Sequence, residues 1–423
     1  MGEHPSLRLL YVVPVLLVAV VLTASASLGG KPAKAATPPS PTSRSGVGAA
    51  PSGSPSVDPS VSPAGAPGSA TPAATPAAQA PLAASRPRGV TAAQATTSLD
   101  SFDRVFYVVQ SDRGYFRRSA GSSTYAPFWR TAEMIEMVED AAQLSGSSTY
   151  RRMVGQLTRG VTHRFGTCWT RNRIYNDDVM WMVLAFERAS SITGSTSLRT
   201  IARSNFDATY ARGWSGAFGG GIWWTTDKDE KNACVNAPAA LAALGLSQSL
   251  HQKSYLTKAE QLFGWVRSHL YNAGTGAVYD HLSSSGGQTA VDRDTYTYNQ
   301  GTFAGAARRL SSATGDGSYQ SEAHDALEYA KDQMTTPDGI LRAEGDGGDG
   351  GGFKGVLVRY AGDYDRHDST HEYHDWLSHN GDVAWSDRDD QGLIGEDWTR
   401  QTDATGMAAF DASSAVVLLQ QLR

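Results

Sequence analysis

The sequence predicts an all-α protein, an (α/α)6 barrel in which six inner helices are walled by six outer ones. Three observations predict it. Two kinds of helical periodicity alternate along the chain, strand alternation is scarce, and polar and aromatic residues gather at the starts of the more apolar helices.

Taken in order, the chain opens with an export signal. Residues 9–30 carry no charge, and Leu9–Leu22 is almost wholly apolar behind Arg8. This reads as a secretory signal peptide with Ala33-Lys34-Ala35 as its cleavage site. A membrane anchor through residues 9–30 is the alternative, disfavoured because the strongly apolar core is short for a span. Either way the folded part is expected to be extracellular or at the cell surface. Thirteen of the 18 prolines then fall between Lys31 and Arg88, among Ala, Ser, Thr and Gly. Residues 31–90 are therefore expected to be a disordered linker, since such a segment buries too little apolar surface to offset its ordering entropy. Extended, it would reach on the order of 180 Å.

Residues 91–423 are left as one folded domain. With the six basic and two acidic residues before Gly89 set aside, 31 basic and 40 acidic residues remain, a net charge of −9. That balance repels phosphate backbones and excludes nucleic acid as a partner. Two cysteines, Cys168 and Cys234, exclude a disulfide scaffold and a four-cysteine zinc site but permit one bridge. Each sits at the entrance to a neighbouring inner helix, so a Cys168–Cys234 disulfide is expected.

The outer helices are amphipathic. Tyr150, Met153, Val154, Leu157, Val161 and Phe165 recur at three and four residues, as do Leu256, Ala259, Phe263, Val266 and Leu270. The inner ones are apolar nearly all round, as in Val179–Phe186, Ala233–Leu246 and Val416–Leu422, and must be buried on every side. Inner starts are expected near Phe128, Asp177, Asn232, Tyr298, Phe353 and Asp403, with the run at Phe353 the weakest. Outer starts are expected near Thr91, Thr149, Ser197, Tyr255, Ser318 and Asp368. An open-ended solenoid remains the alternative topology.

Inner helices running the same way would bring their starts to one rim. That rim would carry Trp129, Trp223, Trp224, Lys231, Asn232, Tyr298, Asn299, Gln300, Phe353 and Lys354. Aromatic faces that cover pyranose rings, with amides and charges for the hydroxyls, make a sugar site. At the same rim stand Asp177 and Asp178, where an inner helix enters the interior. Buried carboxylates need partners. The simplest role for Asn176 or Asp177 is a helix cap, with both charges at the positive end of the helix.

The ordered set Asn176-Asp177-Asp178 with Trp181, Gly219–Trp224 leading to Lys231-Asn232 and Asn236, Thr297–Gly301, and Gly351–Gly355 resembles glycoside hydrolase family 76, the endo-α-1,6-mannanase family. The resemblance implies an (α/α)6 barrel and retaining hydrolysis of α-1,6-linked mannan by a monomer without a cofactor. It implies Asp177 as nucleophile and Asp178 as general acid/base, with Asn176, Trp181 and Asn236 joining the rim residues in binding substrate. Retaining glycosidases set two carboxyl groups on either side of the scissile bond, and at a helix entrance two adjacent ones can lean into one cleft. Lys231, Lys354 and Arg359 are the cations available to keep the nucleophile ionised.

Other segments fall outside the resemblance. His367, His371, His374 and His379 suit a solvated outer helix better than a transition-metal site. Asp387–Gly392 begins like a calcium loop, but Trp398 holds the twelfth position where Glu is needed. Gly345–Gly352 reads as a flexible loop beside the cleft. Two rival functions remain: a cell-wall transglycosylase using the same aspartates, and a non-catalytic mannan-binding barrel, for which adjacent carboxylates would be superfluous.

Overall fold

A computed structural model describes residues 89–423, apart from Gly286 and Gly287. The apolar segment 9–30 and the linker up to Arg88 lie outside the described residues. Val90, the last residue assigned to the linker, is buried in the core.

The chain runs through α1 (Ala92–Phe106), the hairpin β1 (Tyr107–Gln110) and β2 (Arg113–Phe116), then α2 (Phe128–Ser145), α3 (Ser148–Phe165), α4 (Asn176–Thr193) and α5 (Thr196–Gly213). Next come β3 (Glu230–Asn232), α6 (Ala233–Leu250), α7 (Lys253–His269), β4 (His281–Ser285), β5 (Gln288–Asp292) and α8 (Thr297–Thr314). It closes with α9 (Gly317–Gln333), α10 (Gly350–His367), α11 (His374–Ser386) and α12 (Ala409–Gln421).

Even-numbered helices form the inner ring. Each packs on the next, and α12 returns to pack on α2, so the ring closes as a barrel and the open solenoid is ruled out. Odd-numbered helices lie outside, each against the inner helix beside it. The burial pattern explains the division. All of Val179–Phe186 on α4 is buried, whereas α3 buries the Tyr150–Val154–Leu157–Val161 stripe and exposes Arg151, Arg152 and Arg159.

Local chemistry sets the ends. Thr91 and Gln94 form a capping box at the start of α1. Gly194 ends α4 in the left-handed region, at φ 73°, which a residue with a Cβ adopts only with strain.

Ten of the twelve helix starts lie within three residues of expectation. The other two, α11 and α12, begin six residues later than expected, at His374 and Ala409. Neither Asp368 nor Asp403 starts a helix; Asp368 is the C-cap of α10, and the N-caps of α11 and α12 are Tyr373 and Ala408. Asp368 and Asp403 each accept from a backbone N–H two residues on (Thr370 and Thr405, both 2.9 Å) and close a turn.

The glycine run is also corrected. Gly350–Gly352 form the first turn of a full 18-residue helix instead of a loop. A Cβ on Gly352 would overlap the Phe410 ring, and one on Gly351 the Asp411 carboxylate, so α10 and α12 approach too closely there for a side chain. Gly352→Ala is expected to destabilise the fold by about 1–3 kcal/mol through overpacking. A melting temperature equal to wild type would show that the two helices can part at no cost.

The strands are short, and β3 (Glu230–Asn232) shows no alternation of buried and exposed residues, so they leave no strand pattern in the sequence. β3, β4 and β5 pair antiparallel in that order, with Glu230 opposite Ser283 and His281 opposite Asp292. This sheet stands at the N-terminal end of α6, where it walls the cleft described next.

Candidate active site

The start of α4 is built by the segment that crosses in front of it. The Asn176 N–H donates to the Trp224 carbonyl (2.7 Å), and the Asn176 side-chain amide donates to the Trp223 carbonyl (2.7 Å). The Asn176 side-chain oxygen accepts from Arg212 Nε (2.7 Å). Asn176 is thus a buried clamp between α4 and the loop after α5, with no surface left for a ligand.

Asp177 follows, held from three sides. Its Oδ1 accepts from the Asp178 N–H (2.9 Å), within the first turn. Its Oδ2 accepts from Trp224 Nε1 (2.8 Å) and faces the Cys234 thiol at 3.7 Å. The N-cap of α4 is Tyr175, with no side-chain cap bond, so neither Asn176 nor Asp177 is the expected cap. Asp178 is freer: its one ion-pair partner is Arg173, at 3.8 Å, and 22% of its side chain is exposed.

Both carboxyls are displaced toward the protonated form. Burial and the Asp178 charge push Asp177 up to about 7 against its hydrogen bonds. Burial likewise pushes Asp178 up to about 6 against the pull of Arg173.

The pair lies in a cleft of about 530 Å³ lined also by Trp129, Tyr175, Trp181, Trp224, Glu230, Asn232, Cys234, Asp280, His281, Tyr298, Asp349 and Phe353. The N-terminal ends of α2, α4, α6, α8 and α10 all contribute, as same-direction inner helices require. Its rings form two groups. Tyr298 stacks on Phe353 at 4.0 Å, with Trp129 and Trp181 beside them, while Tyr175 packs on Trp224 at 5.1 Å. Trp129 Nε1 also donates to Asp349 (3.0 Å).

A larger cavity, about 870 Å³, opens among the C-terminal ends of the inner helices. No Trp, Tyr or Phe lines it, and its Arg188 is already paired with Asp140 at 2.6 Å. The aspartate pair and the clustered aromatic rings lie at the other end.

Of the expected binding residues, Trp129, Trp181, Trp224, Asn232, Tyr298 and Phe353 line the cleft. The others stand behind it. Lys231 is fully buried and donates to the carbonyls of Ser215, Ala217 and Gly220, holding the glycine loop, with its charge over the Trp223 ring at 4.6 Å. Asn236 bonds the Ile222 backbone N–H (2.7 Å) and carbonyl (3.0 Å). Lys354 is fully buried against the Glu396 carbonyl, the Glu396 carboxylate and the Trp398 ring. Asn299 and Gln300 are wholly buried, Asn299 reaching Asp280 at 3.2 Å. Arg359 pairs with Glu133 (2.7 Å) and Asp140 (2.9 Å) in the barrel core. None of the three expected cations reaches the pair; the cation beside it is Arg173.

The expected disulfide is absent. Cys168 is exposed, Cys234 is buried, and both are free. Cys234 is turned instead to Asp177.

Five lining residues were not anticipated: Tyr175, Glu230, Asp280, His281 and Asp349. His281 lies between Asp280 (Nδ1, 2.9 Å) and Glu230 (Nε2, 3.5 Å), and the Asp280 hydrogen bond raises its pKa against the effect of burial. The pairing of β3 with β4 brings these groups together from 50 residues apart, and no local pattern announces it.

The model of glycosyl hydrolase family 76 matches residues 92–422. The GH76A alpha-1,6-mannanase of Salegentibacter sp. HEL1_6 is 28% identical, with a TM-score of 0.72 over 78% of this chain and 98% of that one. An inactive variant of it with two aspartates replaced by asparagine, in complex with alpha-1,6-mannotriose, is 26% identical with a TM-score of 0.71 over the same shares. The mannan endo-1,6-alpha-mannosidase DCW1 of Candida glabrata is 30% identical over 131 residues, which span 29% of this chain and 29% of that relative. The family match covers every helix described above, and on that ground the chain belongs to glycosyl hydrolase family 76.

Proposed function

We propose that the protein is an exported, monomeric endo-α-1,6-mannanase that works by retaining double displacement. The observation that carries this reading is the unequal setting of the two adjacent aspartates. Asp177 is fixed by donors on both oxygens, all of which favour its ionised form and aim it as a nucleophile. Asp178, with 22% of its side chain exposed and its pKa raised by burial, can give a proton to a departing sugar oxygen and later take one from water.

Attack by Asp177 at the anomeric carbon breaks the glycosidic bond and leaves a covalent glycosyl-enzyme. Water activated by Asp178 then displaces Asp177, so that two inversions return the α configuration. In the free enzyme the higher of the two raised values belongs to Asp177, so between about 6 and about 7 the single proton rests mostly on the nucleophile, and the productive form, with that proton on Asp178, is the minor one. Two groups of aromatic rings in the same cleft supply faces for pyranose rings. The solved relatives named alpha-1,6-mannanases support mannan as the polymer. Export rests on the 22 uncharged residues at 9–30 and the proline-rich linker behind them.

Linear α-1,6-mannan incubated with the protein should yield shorter oligomers whose first-formed reducing ends are α by NMR. Unchanged polymer would reject the reading. Chains longer than the substrate would reassign the same site to a transglycosylase.

A further inference from the structure

Only three large apolar side chains are exposed among the described residues: Val109 at 45%, Ile174 at 49% and Tyr175 at 40%. Two of them are neighbours at the lip of the cleft. They are also held rigidly. The Ile174 carbonyl accepts from the Thr226 N–H (3.0 Å), Tyr175 bridges to Thr225, and the next residue donates to the Trp224 carbonyl (2.7 Å). The Tyr175 ring packs against Trp224 with planes at 53°, and Trp224 in turn donates to the catalytic Asp177. A loop tip that solvates two apolar side chains while fixing their backbone has the form of a preformed contact surface.

We propose that Tyr175, flanked by Ile174, is a further sugar-binding subsite beyond the aromatic group of Trp129, Trp181, Tyr298 and Phe353. It would seat an outlying mannose unit of the α-1,6-linked chain. The inference rests on the mannanase reading above. Its occupant follows from continuity: the platform lines the same cleft, one ring outward from the nucleophile along Tyr175, Trp224 and Asp177. Tyr175 is therefore a specificity-determining residue, making the enzyme favour longer chains.

The test is binding without turnover, by calorimetry on the Asp177→Asn/Asp178→Asn protein with α-1,6-mannotriose, mannotetraose and mannohexaose. Adding Tyr175→Ala should weaken binding progressively with chain length, by about fivefold to tenfold for mannohexaose, while Tyr175→Phe restores it. An equal loss at every length would make Tyr175 a support for Trp224 and overturn the subsite. So would no loss at any length. If the parent double variant binds none of the three sugars, the mannan reading itself falls, and the subsite with it.

Discussion

Asp177→Asn should abolish turnover of mannan, by on the order of 10⁴-fold, and at the same time stabilise the folded protein above neutral pH. The two effects have one cause. Asp177, the proposed nucleophile, is a carboxylate set where burial disfavours its charge, raised from 3.8 to about 7. Between those values the native state binds a proton that the unfolded chain has released, so stability contributed at low pH is lost as pH climbs toward 7. Asparagine keeps the shape and an acceptor for Trp224 Nε1 but has no charge to desolvate. The variant should therefore exceed wild type by about 1–3 kcal/mol at pH 8, with the advantage shrinking to nothing near pH 4. Thermal melts at the two pH values, beside assays on mannan and on an aryl α-mannobioside, check both halves. A variant that melts lower than wild type at pH 8 would mean that Asp177 serves the helix start more than the chemistry. Retained activity would remove it from the nucleophile's role.

Asp178→Asn should lose about 10²–10⁴-fold on mannan and far less on an aryl α-mannobioside, whose leaving group departs without protonation. Azide should then speed the aryl reaction by attacking the glycosyl-enzyme and give the α-glycosyl azide, because the second displacement again inverts. The pH profile supplies an independent sign. Turnover needs one proton on the pair, so kcat/KM in wild type should fall below about pH 6 and again above about pH 7, following the two raised carboxyls. In Asp178→Asn the alkaline limb should disappear on the aryl substrate, since the pair then has no proton that turnover requires, and only the acid limb of Asp177 remains. If azide gives no rescue and the alkaline limb persists, Asp178 is not the acid/base.

Ion pairing fits this division of labour. Arg173 at 3.8 Å pairs with Asp178 and not Asp177, so it steadies the proposed acid/base. Asp177 depends on dipoles instead, from Trp224, the Asp178 amide and the Cys234 thiol. A thiol donor to the nucleophile also explains why a bridge to Cys168 would be out of place: it would take that donor away.

Some of this was legible in the sequence because the information is local. Val179–Phe186 has no polar face, so α4 had to be inner, and the alternation of such runs with amphipathic ones gave twelve helices in the right order. The aspartate pair and its aromatic company could likewise be named, since each lies at a helix start that periodicity marks. The tertiary structure decided what depends on the facing chain. Lys231 and Lys354 look like rim cations in sequence, yet both are buried under backbone carbonyls contributed by other loops. Glu230, Asp280 and His281 meet only because β3 pairs with β4, and Gly352 must be glycine only because Phe410 lies against it. A residue's own periodicity reports whether it faces inward. Whether a charge that faces inward meets a substrate or a carbonyl is set by the atoms opposite, and those come from segments tens of residues away.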